Sequence, residues 1–332
     1  MSTPAFRALR MRYPQARITL QLRPGLAGLI AGSPWFDDVI SVQSYRQGAT
    51  ALVREGRALR NARRYDLGIC LPDSWSSALL MRVAGVRRIC GYRRAGRGIL
   101  LHAAVAPRPE WGRQRLVARE TYALELLKTL GCDDGDTRLE LFTTPEEDAE
   151  AERSLATAGG GIRPLLVLAP GASFGASKCW PPESFAEVGD ASARAGAQVV
   201  VVGTRDEAAR VRRVCDAMRQ PALDLAGSLE LGGLKALVRR AAAVVCNDAG
   251  ARHIAVAFGV PCVVLMGPTS LDKTNRNLEG VHILETDVAC RPCYKRDCPI
   301  DHRCMTRLAP SAVSRIVLPL LGSAREAAAS ST

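Results

Sequence analysis

The chain has 332 residues, enough for two domains that each bury a core, and its 47% hydrophobic content with a mean hydropathy of zero is that of a globular protein. No apolar run reaches a membrane span and the opening Met1-Ser2-Thr3-Pro4-Ala5-Phe6-Arg7 has no signal-type apolar core, so a cytoplasmic protein is expected. A net charge of +12 calls for an anionic partner, but the arginines of the first half, such as Arg54, Arg57, Arg60, Arg93 and Arg94, lack the interleaved aromatics of a single-strand stacking platform, which argues against nucleic acid.

In chain order the first half alternates helix and strand: helix Ala5–Arg12, strand Arg17–Leu22, helix Ala27–Ala31, strand Val39–Val42, basic helix Ala51–Arg63, strand Leu67–Leu71. Pro72-Asp73-Ser74 then caps a helix over Ser76–Ala84, Ile89-Cys90-Gly91-Tyr92 leads into an Arg- and Gly-rich loop, and a helix over Glu120–Leu130 stops at Gly131. Thr143-Thr144-Pro145-Glu146-Glu147 opens another helix by its capping residues and first-turn proline. That helix closes at Gly159-Gly160-Gly161, the expected domain boundary, with domains over 1–160 and 161–332. The second half restarts with strand Leu165–Leu168, helix Pro182–Ala195, strand Gln198–Val202, helices Arg205–Arg219 and Leu231–Arg240, and ends in an alanine- and serine-rich tail, Arg325–Thr332, expected to fray. Both halves read as α/β, doubly wound around parallel sheets.

The short apolar runs Val244–Cys246 and Cys262–Leu265 lack alternation, as strands buried on both faces do, and the helix Ala251–Phe258 lies between them. Asn247 and Asp248 are expected to cap that helix, Gly259 to supply its left-handed stop, and Pro261 to prevent continuation. Ligands of such βαβ units bind beyond the carboxyl ends of the strands, where helix N-terminal amides attract anions. Gly250 would let backbone approach the anion and His253 would face it from the first turn; spacing alone equally allows a plain capped turn with a surface histidine. The strand Leu165–Leu168 runs into a second turn of this kind, Ala169–Pro181, which carries Lys178 and which in isolation also reads as a glycine-serine linker.

Of eleven cysteines, seven stand singly in apolar settings, such as Cys70, Cys246 and Cys262, and are expected in the core. Cys290, Cys293, Cys298 and Cys304 instead cluster with spacing C-x2-C-x4-C-x5-C, and His302 lies beside the last. A structural zinc ion could take four of these five groups; a reduced structural loop and a redox pairing are the alternatives.

The motifs Gly-Ala-x-x-Gly-x-x-Lys-x-Trp-Pro at Gly171–Pro181, Asn-Asp-x-Gly-x-x-His at Asn247–His253 and Gly-Pro-Thr at Gly267–Thr269 resemble, in order and spacing, the lipopolysaccharide heptosyltransferases, two-domain glycosyltransferases of the GT-B fold. Pro72-Asp73-Ser74, Gly91-Tyr92-Arg93 and the cysteine segment ending Cys304-Met305 look like the members that add the second inner-core heptose. The resemblance covers all of the chain except its front edge. It implies inverting transfer of heptose from ADP-heptose to the heptosylated, Kdo-bearing lipid A core by an enzyme peripheral to the cytoplasmic face of the inner membrane. No cofactor is implied for catalysis.

Carried over position by position, the resemblance makes Lys178 the cation that stabilises the departing diphosphate. It places the ADP diphosphate on Asp248, Gly250 and His253, with Asp248 turned toward the heptose hydroxyls, and the ribose diol on Glu207. Ser173 and Leu229 are weaker donor contacts, and Ala249 replaces a hydroxyl residue, which removes one phosphate contact. The family's base is an aspartate in a Gly-Asp pair at the end of the first strand, and no position here matches it. Met1 is therefore expected to be an internal methionine of a longer protein, or the chain to be a sugar-nucleotide-binding pseudoenzyme, and the first sheet to have an unfilled slot. Glu55, Asp66 and Asp73 are the substitute bases considered, though nothing in their spacing recommends them.

Overall fold

The structure, a computed structural model, describes residues 1–43, 47–112, 115–132, 135–156 and 163–329. The chain divides into two compact units: unit 1 comprises Met1–Ala27, Ser33–Thr137 and Asp272–Arg276, and unit 2 comprises Gly28–Gly32, Arg138–Leu271 and Asn277–Thr332. The expected boundary at Gly159–Gly161 lies outside the described residues.

Unit 1 begins with α1 (Thr3–Arg12), whose proline sits in its first turn, and β1 (Thr19–Leu22). The single turn of α2 (Ala27–Ile30) falls almost wholly in unit 2; beyond it β2 (Asp38–Ser41) pairs in parallel with β1, Thr19 opposite Asp38. The basic helix α3 (Ala49–Ala62) leads to β3 (Leu67–Cys70), and α4 (Trp75–Val83) is capped by Ser74, whose hydroxyl accepts from the Ser77 amide at 3.2 Å. The strands β4 (Arg88–Tyr92) and β5 (Ala103–Val105) complete a parallel sheet of order β3-β4-β5, and α5 (Arg119–Lys128) closes the unit. Among the described residues the strands of unit 1 form two parallel sheets, β1-β2 and β3-β4-β5. On one face, Ala5, Ala8, Tyr92, Tyr122, Leu126 and Leu127 pack together; Cys70, Ala78, Ile89 and Leu101 form a second cluster.

In unit 2, α6 (Pro145–Ala156) begins with the expected capping box: the Glu147 amide donates to Thr144 Oγ1 at 3.4 Å and the Thr144 amide donates to Glu147 Oε2 at 3.0 Å. The sequence assigned this helix to the first half. It belongs to unit 2 because Ala151 is fully buried among Val167, Ala236 and Leu237, and Glu147 pairs at 3.0 Å with the fully buried Lys235. Then follow β6 (Leu165–Ala169), α7 (Pro182–Arg194), β7 (Gln198–Val201), α8 (Ala208–Ala217), β8 (Leu223–Asp224) and α9 (Leu231–Arg239). The chain continues through β9 (Ala243–Asn247), α10 (Gly250–Ala257), β10 (Cys262–Met266), β11 (Val281–Glu285), α11 (Arg303–Thr306) and α12 (Pro310–Ala329).

The six strands form one parallel sheet, ordered β11-β10-β9-β6-β7-β8. In β6, β9 and β10 every residue is buried, the signature of helices on both faces. The winding reverses between β6 and β9, a topological switch point, and ligands of open α/β sheets bind beyond the carboxyl ends of the strands at such points. The tail expected to fray continues as helix to Ala329, anchored by buried Val313, Val317 and Leu321. Among the described residues no helix is long and apolar enough to cross a membrane.

Candidate functional site

The turns that leave β6 and β9 carry the motif residues to the switch point. Trp180, with no exposed surface, anchors the first turn: its ring lies 5.1 Å from Phe185, and Nε1 donates to the Leu308 carbonyl at 3.1 Å. Its amide donates to Asn247 Oδ1 at 3.0 Å, while Asn247 Nδ2 donates to the Pro170 and Gly171 carbonyls at 2.8 and 3.3 Å. Asn247 therefore stitches β9 to the β6 turn and does not cap α10. Asp248 does not cap it either: the N-cap is Ala249, with no side-chain cap bond, because the Asp248 carboxylate is held elsewhere.

That carboxylate is the centre of the cluster. Lys178 Nζ donates to Asp248 Oδ2 at 2.5 Å and to the Asp248 carbonyl at 2.9 Å, and Thr269 Oγ1 donates to Oδ2 at 2.8 Å from the turn after β10. Arg252, almost wholly buried, lies 3.7 Å from Oδ1. Burial alone would raise the Asp248 pKa, but Lys178, then Thr269 and Arg252, outweigh it and hold the carboxyl below its ordinary value. His253, one position beyond Arg252, has its pKa pushed down to about 3, chiefly by burial. Two cations face one carboxylate beside the N-terminus of α10, so the cluster has a net positive charge where helix amides also point. Gly250 is exposed, with open space around the position a Cβ would take.

Glu207 enters the same region from the start of α8. It caps its own turn, accepting from the Thr204 amide and hydroxyl at 2.9 and 3.1 Å, and its carboxylate packs so closely on Gly171 that a Cβ there would overlap it. It lines a shallow cavity of about 390 Å³ with Ala172, Gly175, Cys179 and Arg210. Ser173 is exposed on the Lys178 turn, and half-buried Leu229 packs on the apolar cluster under α9. The structure thus gathers Lys178, Asp248, Ala249, Gly250 and His253 at one switch point, with Glu207 against Gly171 of the Lys178 turn. Arg252 was not singled out from the sequence; an arginine in the first turn of a helix otherwise predicted apolar was the available signal.

The four clustered cysteines lie in one neighbourhood, since Cys290, Cys298 and Cys293 all act electrostatically on Cys304. Cys290 and Cys293 are exposed, Cys298 is half-buried and Cys304 is buried against Gly267. Among the described residues no three His, Cys, Asp or Glu side chains are grouped so that they could hold a metal ion.

The substitute bases are also placed. Asp66 is exposed and pairs at 3.3 Å with Arg87, and Glu55 is half-buried on α3. Asp73 accepts from Arg94 at 3.3 Å, Arg97 at 3.5 Å, Arg115, and the Tyr122 hydroxyl at 2.9 Å. These donors tie the carboxylate to the turn after β3 and make it the counter-ion of the fully buried Arg97.

The chain thus carries a positively charged cluster at the switch point of a parallel α/β sheet, the place where ligands of such folds bind. The sequence model described as glycosyltransferase family 9 (heptosyltransferase) matches residues 52–303, and the chain belongs to that family. The chain is 30% identical over 285 residues to lipopolysaccharide heptosyltransferase 2 of Salmonella typhimurium, covering 82% of this chain and 80% of that protein. The solved ADP-heptose lipopolysaccharide heptosyltransferase II of E. coli superposes with a TM-score of 0.78 at 25% identity, over 97% of this chain and 94% of that one. An E. coli heptosyltransferase solved with ADP shares the fold, with a TM-score of 0.68 at 17% identity over 96% and 95% of the two chains. The GT-B fold class and glycosyltransferase activity expected from the sequence are those of this family.

Proposed function

We propose that the chain transfers heptose from ADP-heptose, with inversion, to the heptosylated Kdo–lipid A inner core, and that unit 2 holds the donor. The observation that carries this reading is the Lys178–Asp248–Thr269 cluster beside the α10 N-terminus at the sheet's switch point. Relatives named for lipopolysaccharide heptose transfer, and one solved with ADP, support it. The diphosphate meets the first amides of α10 and the Lys178 ammonium; as the sugar–phosphate bond breaks, negative charge grows on the departing diphosphate, and a cation already in place stabilises it without reorganising solvent. Neutral His253 donates a hydrogen bond without adding a charge. Asp248, with its lone pairs oriented by Lys178 and Thr269, accepts from sugar hydroxyls, and Glu207 accepts from the ribose diol.

The acceptor is a lipid, so the enzyme works at the cytoplasmic face of the inner membrane, where the basic first half meets anionic headgroups. Calorimetry with ADP-heptose and ADP, followed by transfer assays on heptosyl-Kdo-lipid A, tests the reading. Micromolar donor binding with transfer supports it. Binding without transfer makes the chain a sugar-nucleotide-binding pseudoenzyme, and failure to bind either ligand removes the donor assignment.

A further inference from the structure

The segment between β11 and α11 carries three of the four clustered thiols, and its contacts reach both turns of the donor cluster. On the Lys178 side, Ser177 is 3% exposed and bonded through each of its polar groups. Its amide donates to the Arg296 carbonyl at 3.0 Å and its hydroxyl to the Lys295 carbonyl at 2.6 Å. Its own carbonyl lies 2.6 Å from His302 Nε2, so that nitrogen carries the proton and donates. Gly175 makes this approach possible, since a Cβ there would overlap the Arg296 carbonyl. Lys178 Nζ and the Arg296 guanidinium both lie over the Phe174 ring, 5.2 and 5.5 Å from its centroid.

On the Thr269 side, the Cys293 and Tyr294 amides both donate to the Pro268 carbonyl, at 3.0 and 2.9 Å. Arg291 donates to the Gly267, Thr286 and Thr269 carbonyls at 2.6, 3.0 and 3.3 Å. One loop therefore holds the backbone of two groups that orient Asp248: Lys178, next to Ser177, and Thr269. His302 adopts a left-handed backbone, φ 58°, a conformation uncommon for a residue with a side chain and maintained only where surrounding contacts over-determine it.

We propose that residues 291–302 form a clamp on the donor site and that His302 and Ser177 are its positioning residues, setting Lys178 toward the diphosphate without touching it. The proposal rests on the donor reading above. His302→Leu removes the donor to Ser177 O, whereas His302→Gln places an amide N–H near the position of Nε2. We expect ADP binding about fivefold weaker in H302L, restored to within twofold in H302Q, and weakened about two- to fivefold in Ser177→Ala, with melting temperatures near that of the parent chain. Amide exchange over residues 171–181 of the ligand-free chain should speed up in H302L and return to the parent rate in H302Q. Unchanged exchange in H302L, or a Gln variant as impaired as Leu, overturns the clamp. A parent chain that binds no ADP overturns the donor reading instead, and the exchange measurement still decides the clamp.

Discussion

Replacing Lys178 with alanine separates the role of the cluster in stability from its role in binding. The Lys178 and Asp248 side chains are 12% and 10% exposed, so the pair is largely shielded from water. Removing one partner of a buried pair costs about 3–5 kcal/mol when the other charge is left alone. Asp248 keeps its bond from Thr269 at 2.8 Å and Arg252 at 3.7 Å, which lowers the expected cost to about 2–3 kcal/mol. The second substitution of the pair, Asp248→Ala, should then recover about 1–2 kcal/mol of that loss in urea denaturation. The pH dependence has a definite sign. Asp248 has a folded pKa below the ordinary aspartate value, so its pairing contributes stability above about pH 4, and that contribution is lost as pH falls through the lower folded value. The stability gap between parent and K178A should therefore be widest near neutral pH and narrow below about pH 4. In catalysis, loss of the fixed cation at the departing diphosphate should cost about 3–4 kcal/mol, roughly 10²- to 10³-fold in turnover. A K178A chain that is less stable but binds ADP and transfers heptose like the parent would refute the assignment.

Three further substitutions test other parts of the structure. Asp73→Asn should destabilise the protein by about 2–4 kcal/mol in urea unfolding, because fully buried Arg97 loses its counter-ion; loss of transfer at unchanged stability would instead make Asp73 the base. Gly171→Ala should push the Glu207 carboxylate aside and weaken ADP binding severalfold by calorimetry. In a double-mutant cycle with Glu207→Ala the losses should be less than additive, and fully additive losses would separate the two residues. Trp180→Phe should cost about 1–3 kcal/mol, from a small cavity and the lost bond to the Leu308 carbonyl, and equal midpoints of thermal unfolding would contradict that packing.

Much of the second unit was legible because its signals are local. Apolar β-branched runs between glycine-rich turns marked β6, β9 and β10, and motif spacing placed Lys178 and Asp248 in the turns after β6 and β9 and His253 in the first turn of α10. β5, with three residues, β8, with two, and α12, which has Pro319 in its interior, were missed because they are too short for a pattern or break the usual one. Capping logic succeeded at Ser74 and Thr144, whose side-chain partners lie within three residues, and failed at Asn247 and Asp248. There the competing partners, Trp180 and Lys178, lie 67 and 70 residues away in sequence.

The sequence by itself determined the family, the α/β alternation and the residue types of the donor turns, since each depends on neighbours within one turn or on ordered motifs. Only the tertiary structure decided that Asp248 binds Lys178 and Thr269 instead of capping α10, that Arg252 is buried beside it, and that Asp73 is occupied by guanidinium groups. It also decided that the cysteine segment bonds to the turns at Ser177 and Pro268. Each of these outcomes is a competition for a hydrogen bond or a charge between groups far apart in the chain, and the winner is set by which strand ends the sheet order brings together.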